Sequence, residues 1–495
     1  MSGRYILAVD QSTQGTKALL LNEKGESVLR VDRPHRQIID ERGWVEHDGE
    51  EIWGNLLSLV RELLEKAKLT GEEIEAIGIS NQRETVIAFH KETGKPLYNA
   101  IVWQCGRGEA IARRLADAGK GDLICAATGV PLSPYFSAAK LAWIMENVPE
   151  AKELAAAGKL AMGTMDTYLV HRLTAGAVLA TDYSNASRTQ LFDIGELTWS
   201  KPVTEAFGIP LSALAEVRDS NGHFGETDVD GILPKKVPIR AVFGDSHAAL
   251  YGHGAQEAGG AKATYGTGSS IMLNTGDRRV TSKKGIATSL AWGIDGKVSY
   301  CLEGNINYTG ASVTWLKEDL ELIRSASEVE ALARASNPHD ESVFVPAFTG
   351  LNAPYWVSDA RGVFTKISRT TGKKELCRAV LDAIAMQITD IVELMKEEGG
   401  FPLTTIFVDG GPTKNAWLMQ RQADLLQGSV EVPAAEELSA LGAGYAAGIA
   451  VGLYDKSIFR RMSRTSYAHT MDAPTHERLR RGWKKAVEEV IQASK

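Results

Sequence analysis

Asp10-Gln11-Ser12-Thr13-Gln14-Gly15-Thr16-Lys17 and, half a chain further on, Tyr265-Gly266-Thr267-Gly268-Ser269-Ser270 are two turns of the same chemical character. The first follows the apolar run Tyr5-Ile6-Leu7-Ala8-Val9, and the second opens onto Ile271-Met272-Leu273. Hydroxyls and backbone N–H groups crowd both turns, which is the chemistry that holds phosphate oxygens. A strand-turn-strand unit occurring twice, with an acid at its first turn, predicts two related lobes closing on a nucleotide. The chain reads as an ATP-using phosphotransferase.

Length and charge agree with that reading. At 495 residues the chain exceeds one ordinary core, so two large domains are expected, residues 1–250 and 251–495, divided just after Gly244-Asp245-Ser246-His247. A net charge of −7 with interspersed signs argues against a nucleic-acid partner, since phosphate-backbone affinity needs clustered Lys and Arg. Four widely spaced cysteines, Cys105, Cys125, Cys301 and Cys377, suggest neither a disulfide framework nor a zinc site. No run approaches 18 apolar residues and no leader is evident, so no membrane partner and a cytoplasmic location are expected.

Hydrophobic periodicity supplies an α/β alternation. Ala18-Leu19-Leu20-Leu21 continues a hairpin series from the first strand. Asp48 is placed to cap a helix carrying Ile52, Leu56, Leu57, Val60, Leu63 and Leu64, with Glu51 at the capping-box position. A strand from Ile74 to Ile79 then delivers Ser80-Asn81-Gln82-Arg83-Glu84-Thr85, and polar clusters at strand ends are where α/β sheets build sites. In the second half, Glu375 to Lys396 predicts a long amphipathic helix ended by Gly399-Gly400. Ile406-Phe407-Val408 leads into Asp409-Gly410-Gly411-Pro412-Thr413-Lys414-Asn415, with a helix starting near Ala416. Small residues through Leu441-Gly442-Ala443-Gly444-Tyr445-Ala446-Ala447-Gly448 predict close helix packing in a core.

Two common nucleotide motifs are absent. Gly94-Lys95 and Gly372-Lys373 are followed by Pro and Lys where a P-loop requires Ser or Thr, and no strand runs into Gly-x-Gly-x-x-Gly. Longer strings carry the assignment instead: Gly43-Trp44-Val45-Glu46-His47-Asp48, Tyr98-Asn99-Ala100-Ile101-Val102-Trp103-Gln104-Cys105, Thr181 through Thr189, and Val345-Pro346-Ala347-Phe348-Thr349-Gly350-Leu351. Tyr135 through Ile144 and Gly362 through Asp382 add two signature-like segments, the second with Lys366 where glycine is usual. Over nearly its whole length the chain resembles the FGGY carbohydrate kinases, and within them the members that phosphorylate glycerol.

The resemblance implies two actin-like ATPase domains of ribonuclease-H type with the active cleft between them, ATP and Mg²⁺ as cofactors, and a homodimer by family habit. Asp245 matches the general base. A carboxylate in hydrogen-bond reach can take the proton of a hydroxyl as it attacks the γ-phosphate. Asp10 aligns with the carboxylate serving Mg²⁺, through water, because that ion keeps much of its hydration shell. Thr13, Lys17, Gly266 and Thr267 match phosphate-facing positions, and Gly310, Gly411 and Asn415 the nucleotide's remaining contacts. Lys17 stands where arginine is usual, which keeps the charge and loses the bidentate fork.

Arg83, Glu84, Trp103 and Tyr135 match the residues that grip the polyol, donating, accepting and covering its carbons. Two positions depart from the pattern: Ser246 replaces a glutamine, and Ser270 an aromatic. Smaller side chains at both predict an opened pocket and favour a four- or five-carbon polyol or ketose, with glycerol as the alternative if His247 or Asn307 refills the space. Thr314 departs too, at a nucleotide position where glutamine is common. A non-catalytic sugar sensor of the same fold is the rival of a different class, and retention of Asp10 and Asp245 argues against it.

Overall fold

The computed structural model describes residues 3–494. Its first sheet has six strands, ordered Glu226–Thr227, Val237–Gly244, Ile74–Asn81, Tyr5–Gln11, Gly15–Leu21, Ser27–Pro34. Tyr5–Gln11 pairs antiparallel with Gly15–Leu21 and parallel with Ile74–Asn81, which is parallel to Val237–Gly244 in turn. Register sets Asp10 opposite Ser80 and Gly244 opposite Asn81. Three parallel strands therefore end side by side, and the residues that follow them emerge at one edge.

The second sheet repeats this plan. Ala261–Tyr265 pairs antiparallel with Ser269–Gly276 and parallel with Thr405–Asp409, which runs parallel to Ser429–Pro433. Thr264 lies opposite Asp409, so the Gly266-Thr267 turn and the Gly410-Gly411 turn leave the sheet together. Lys297–Ile306, Ala287–Ile294 and Arg464–Ala468 complete seven strands.

Both faces of the first sheet's central strands are covered, which explains why they are largely apolar, whereas the edge strand Ser27–Pro34 is mostly exposed. Leu7 and Val9 pack toward the Gly49–Ala67 helix through Ile52, Leu56, Val60 and Leu63. Their neighbours Ile6 and Ala8 point the other way, into a cluster with Phe243, Leu250, Leu441 and Tyr445. That second cluster also takes Met272 and Cys301 from the other sheet, so it lies between the lobes.

The small-residue segment forms the Leu438–Ala450 helix, which packs against the first sheet although it follows residue 250 in the chain. Its approach is close: a Cβ on Gly442 would lie 1.9 Å from the carbonyl oxygen of Ala248. The Lys373–Gly399 helix packs on the second sheet and ends at Gly400 in the left-handed conformation. Asp48 caps the Gly49–Ala67 helix as expected, accepting from the Glu50 and Glu51 backbone N–H groups. The capping box is not closed, however. The Glu51 carboxylate accepts instead from the backbone N–H of Arg36, tying the incoming chain to the helix.

Candidate active site

At the edge of the first sheet, Asp10, Arg83 and Asp245 come together from three strand ends. Arg83 Nε donates to Asp245 Oδ1 at 3.0 Å, and the backbone N–H of Ser246 donates to the same oxygen at 2.6 Å. Asp245 Oδ2 has no protein partner among the described residues. Asp245 opens the Asp245–Gly252 helix, so its carboxylate lies beside the unpaired backbone N–H groups of the helix's first turn. Gly244 is needed immediately before it, since a Cβ there would meet the Arg83 side chain at 2.6 Å.

Asp10 is buried and accepts from Ser80 Oγ. Burial pushes its pKa up to about 6 against the pull of Lys17 and Ser80, with Asp245 and Glu437 adding to the rise. A carboxylate so placed lacks sufficient compensating positive charge, and a hydrated divalent cation would supply it. The residues thus fit Mg²⁺, which is ordinarily bound by one or two carboxylates plus substrate phosphates. Among the described residues there is no group of three or more His, Cys, Asp or Glu able to hold a metal by itself.

Lys17 reaches Glu437 at 2.6 Å, and Arg30 meets the same carboxylate at 3.2 Å. The ammonium expected to face phosphate is thus held, without ligand, by a residue at the start of the Leu438–Ala450 helix. Thr13 accepts from Trp103 Nε1 at 2.9 Å, which ties the Ser12–Gly15 turn to the loop that carries Trp103. Trp103 and Tyr135 meet edge to face with ring centroids 5.6 Å apart.

Arg83 and Glu84 do not form a surface ion pair. Both are buried, and each is matched elsewhere: Arg83 Nη1 donates to Glu303 at 2.8 Å, and Glu84 accepts from Arg188 Nε at 2.5 Å. Glu84 also holds φ at 57°, an uncommon conformation for a side-chain-bearing residue and of the kind found at binding sites. Arg188 Nη1 lies 3.0 Å from Glu303, so one carboxylate of the second sheet bridges two guanidiniums of the first lobe. Burial would raise the Glu303 pKa; Arg188 and Arg83 overcome it and hold the group far below the usual carboxylate range.

The two serines that depart from the family pattern are both tied to this cluster. Ser246 Oγ accepts from Arg83 Nη2 at 3.2 Å, and Ser270 Oγ donates to Glu303 Oε1 at 3.0 Å. Glu303, Arg188 and Glu437 were not anticipated as site residues. Neither was Lys140, which is fully buried and donates to the carbonyls of Pro134, Tyr135 and Phe136, fixing the loop that presents Tyr135. A lone Glu inside the apolar strand Lys297–Ile306 was the available signal, because a buried acid requires a partner.

Gly266, Thr267, Gly310, Gly411 and Asn415 line a single cavity of about 930 Å³. Thr314, Lys317 and Ile384 line it as well. The Gly310 N–H donates to the Gly266 carbonyl at 2.9 Å, and a Cβ on Gly310 would fall 2.7 Å from that oxygen. Asn415 caps the Ala416–Leu426 helix through its side-chain carbonyl, leaving its amide N–H groups for the cavity. Gly410, at φ 99°, sits where a Cβ would be 2.0 Å from the Tyr265 carbonyl oxygen.

A charged sheet edge facing a glycine-lined cavity suits phosphoryl transfer to a small hydroxyl compound, and comparison with known proteins defines the class. Residues 5–252 match the FGGY family of carbohydrate kinases, N-terminal domain, and residues 261–451 match its C-terminal domain. The chain belongs to this family and is an ATP-dependent carbohydrate kinase, of a family that works with ATP and Mg²⁺. It is 45% identical to the glycerol kinase of Alkaliphilus oremlandii over 99% of this chain and 98% of that one. A solved structure of Plasmodium falciparum glycerol kinase with ADP superposes with a TM-score of 0.94 at 36% identity, covering 99% and 98% of the two chains. Xylulose kinase from Lactobacillus acidophilus shares the fold, with a TM-score of 0.87 at 22% identity over 98% of each chain. Among the described residues, no helix is long and apolar enough to cross a membrane.

Proposed function

We propose that the chain transfers the γ-phosphoryl group of ATP to a terminal hydroxyl of glycerol. The observation that carries this reading is the Arg83–Asp245 pair at the end of three parallel strands, in a chain 45% identical to a glycerol kinase. Asp245 takes the hydroxyl proton through Oδ2 as the alcohol oxygen attacks phosphorus and ADP leaves. Arg83, Glu84, Trp103 and Tyr135 hold the polyol. Gly266, Thr267, Gly310, Gly411 and Asn415 hold the nucleotide, while Thr13 and Lys17 face its phosphates. Asp10 would hold Mg²⁺, which when bound would neutralise charge on the phosphates. Lys17 must leave Glu437 to reach the same oxygens.

This reading favours glycerol over the larger substrate expected from Ser246 and Ser270. Both serine hydroxyls are tied to the Arg83–Glu303 pair, so each has one of its hydrogen-bonding positions already filled within the protein. A four- or five-carbon polyol or ketose remains the second reading, favoured by the small volume of the two side chains. A panel of glycerol, erythritol, ribitol, xylitol and xylulose at fixed Mg·ATP separates them: the highest kcat/KM is expected for glycerol, and a five-carbon compound leading would overturn it. In that case Ser246→Gln with Ser270→Phe should move preference back toward glycerol, by about tenfold, since each pocket methylene is worth ~1–3 kcal/mol.

We further propose a lobe boundary near residue 250, cytoplasmic location and a homodimer. Sedimentation equilibrium at micromolar protein tests the last, and a monomer mass would refute it.

A further inference from the structure

Lys140 is a buried cation in an unfavourable place. It is the fourth residue of the Ser137–Asn147 helix, so its ammonium lies at the helix's N-terminal end, where the aligned peptide dipoles disfavour positive charge. Burial pulls its pKa down to about 7, against the opposing pull of Glu84 and Cys105. An apolar side chain of similar length would fill the same space without either cost, since replacing buried charge by a packed hydrophobe is often neutral or stabilising. Stability therefore does not account for a lysine here.

The ammonium supplies geometry instead. Its side chain runs back along the helix, as helical side chains do, and Nζ donates to the carbonyls of Pro134 at 2.9 Å, Tyr135 at 2.6 Å and Phe136 at 2.9 Å. Those bonds use all three N–H groups of the ammonium and turn three consecutive carbonyls toward one atom. The same loop is tied on its other side. Ser137 Oγ donates to the Glu84 carbonyl at 3.2 Å, the Ala138 N–H donates to the Thr189 carbonyl at 2.9 Å, and the Arg188 guanidinium lies over the Phe136 ring at 5.1 Å. Glu84 and Arg188 are themselves an ion pair, so the loop that carries Tyr135 is fixed against that pair, and the Tyr135 ring meets Trp103 at 5.6 Å.

We propose that Lys140 is a positioning residue for the polyol: through the three carbonyls it holds the Tyr135 ring against Trp103 and so sets polyol affinity, with no part in nucleotide binding. The role rests on Tyr135 holding the polyol, as proposed for this site. A side-chain amide has two N–H donors and no charge, so it satisfies the loop only in part.

Steady-state kinetics and crystal structures of two variants test the role, with glycerol or whichever polyol the parent turns over best. Lys140→Met keeps the length and removes every donor; Lys140→Gln keeps two donors and is the milder change should the first variant fail to fold. KM for the polyol should rise by about tenfold in Lys140→Met and about threefold in Lys140→Gln, while KM for ATP stays within about twofold, because misplacing a binding group by about 1 Å is costly even when the mutation lies away from the chemistry. In crystals of either variant the Tyr135 ring should have moved away from Trp103. Unchanged polyol KM with the ring still against Trp103 would overturn the positioning role, as would polyol and ATP KM rising together, which is what a general loss of structure produces. Unchanged polyol KM with the ring displaced would overturn it by way of Tyr135, whose assignment to the polyol would then have failed.

Discussion

The two lobes are built on one plan and equipped differently. At the edge of the first sheet the turns carry ionisable groups, Asp10, Arg83 and Asp245, buried or half-buried against each other and against Ser80. At the matching edge of the second sheet the turns carry glycines, of which Gly266 and Gly411 line an open cavity and Gly410 packs against Tyr265 beside it. One copy supplies charge and the other supplies shape. Phosphoryl transfer needs both, because the transition state is stabilised chiefly by positioning and by preorganised charge. The contrast predicts that first-lobe substitutions act on kcat and second-lobe substitutions on nucleotide affinity.

The sharpest way to break that division is Asp245→Asn. The amide oxygen can still accept from Arg83 and from Ser246 N–H, so geometry should survive while proton acceptance is lost. A fall in kcat of about 10³-fold is expected, within the usual range for removing a general base, with the Kd for ATP changed less than twofold. Turnover within tenfold of the parent would refute the role. Glu303→Gln tests the contact by which the lobes share charge. It leaves Arg83 and Arg188 partly unmatched in the interior and is expected to cost about 3–5 kcal/mol in chemical denaturation, as breaking buried pairs does. A loss below 1 kcal/mol would mean that water or a rearranged Glu84 replaces it.

How much of this was legible beforehand differs between the lobes for the same reason. Asp10 and Asp245 sit at the ends of apolar strands and Arg83 two residues past one, so their arrival at one sheet edge was legible, while their roles came from the family resemblance. The glycine turns were visible through the same strand-then-turn pattern, and their five expected nucleotide residues do line one cavity. Glu303, Arg188 and Glu437 were not visible. Each acts on a group more than a hundred positions away, or from the opposite sheet, and only lobe-on-lobe packing brings them there. The two serines were read as opened volume with added hydrogen-bonding capacity, because side-chain size and chemistry are apparent in a sequence; that Glu303 and Arg83 bind their hydroxyls is not.

Gly410→Ala probes shape without touching charge. A methyl group would be placed against the Tyr265 carbonyl in a backbone conformation that side chains rarely adopt, and strain of this kind costs about 1–3 kcal/mol. The turn should shift, weakening ATP roughly tenfold while kcat at saturating ATP holds within threefold. If kcat collapses and affinity does not, the division between the lobes fails.

Asp10 gives the most direct view of buried charge. Its folded pKa, about 6, lies above the unfolded value near 3.8, so the folded state binds the proton more tightly. Stability is therefore fully present below about pH 4 and is lost as pH rises through 6. Removing the charge should reverse the loss. Without Mg²⁺, Asp10→Asn is expected to be more stable than the parent at pH 7.5, by about 3 kcal/mol, and to match it near pH 4. Activity should run in the opposite sense if, as proposed, the ionised form serves Mg²⁺: parental kcat/KM for Mg·ATP, which reports the free enzyme, should rise with pH through about 6, and the variant should be nearly inactive throughout. Mg²⁺ added to the parent at pH 7.5 should recover the stability that the buried charge removed, and should do nothing for the variant. A parent whose denaturation midpoint is flat from pH 4 to 7.5 would show that Lys17 and Ser80 already compensate Asp10, leaving no unmet charge for the metal to satisfy.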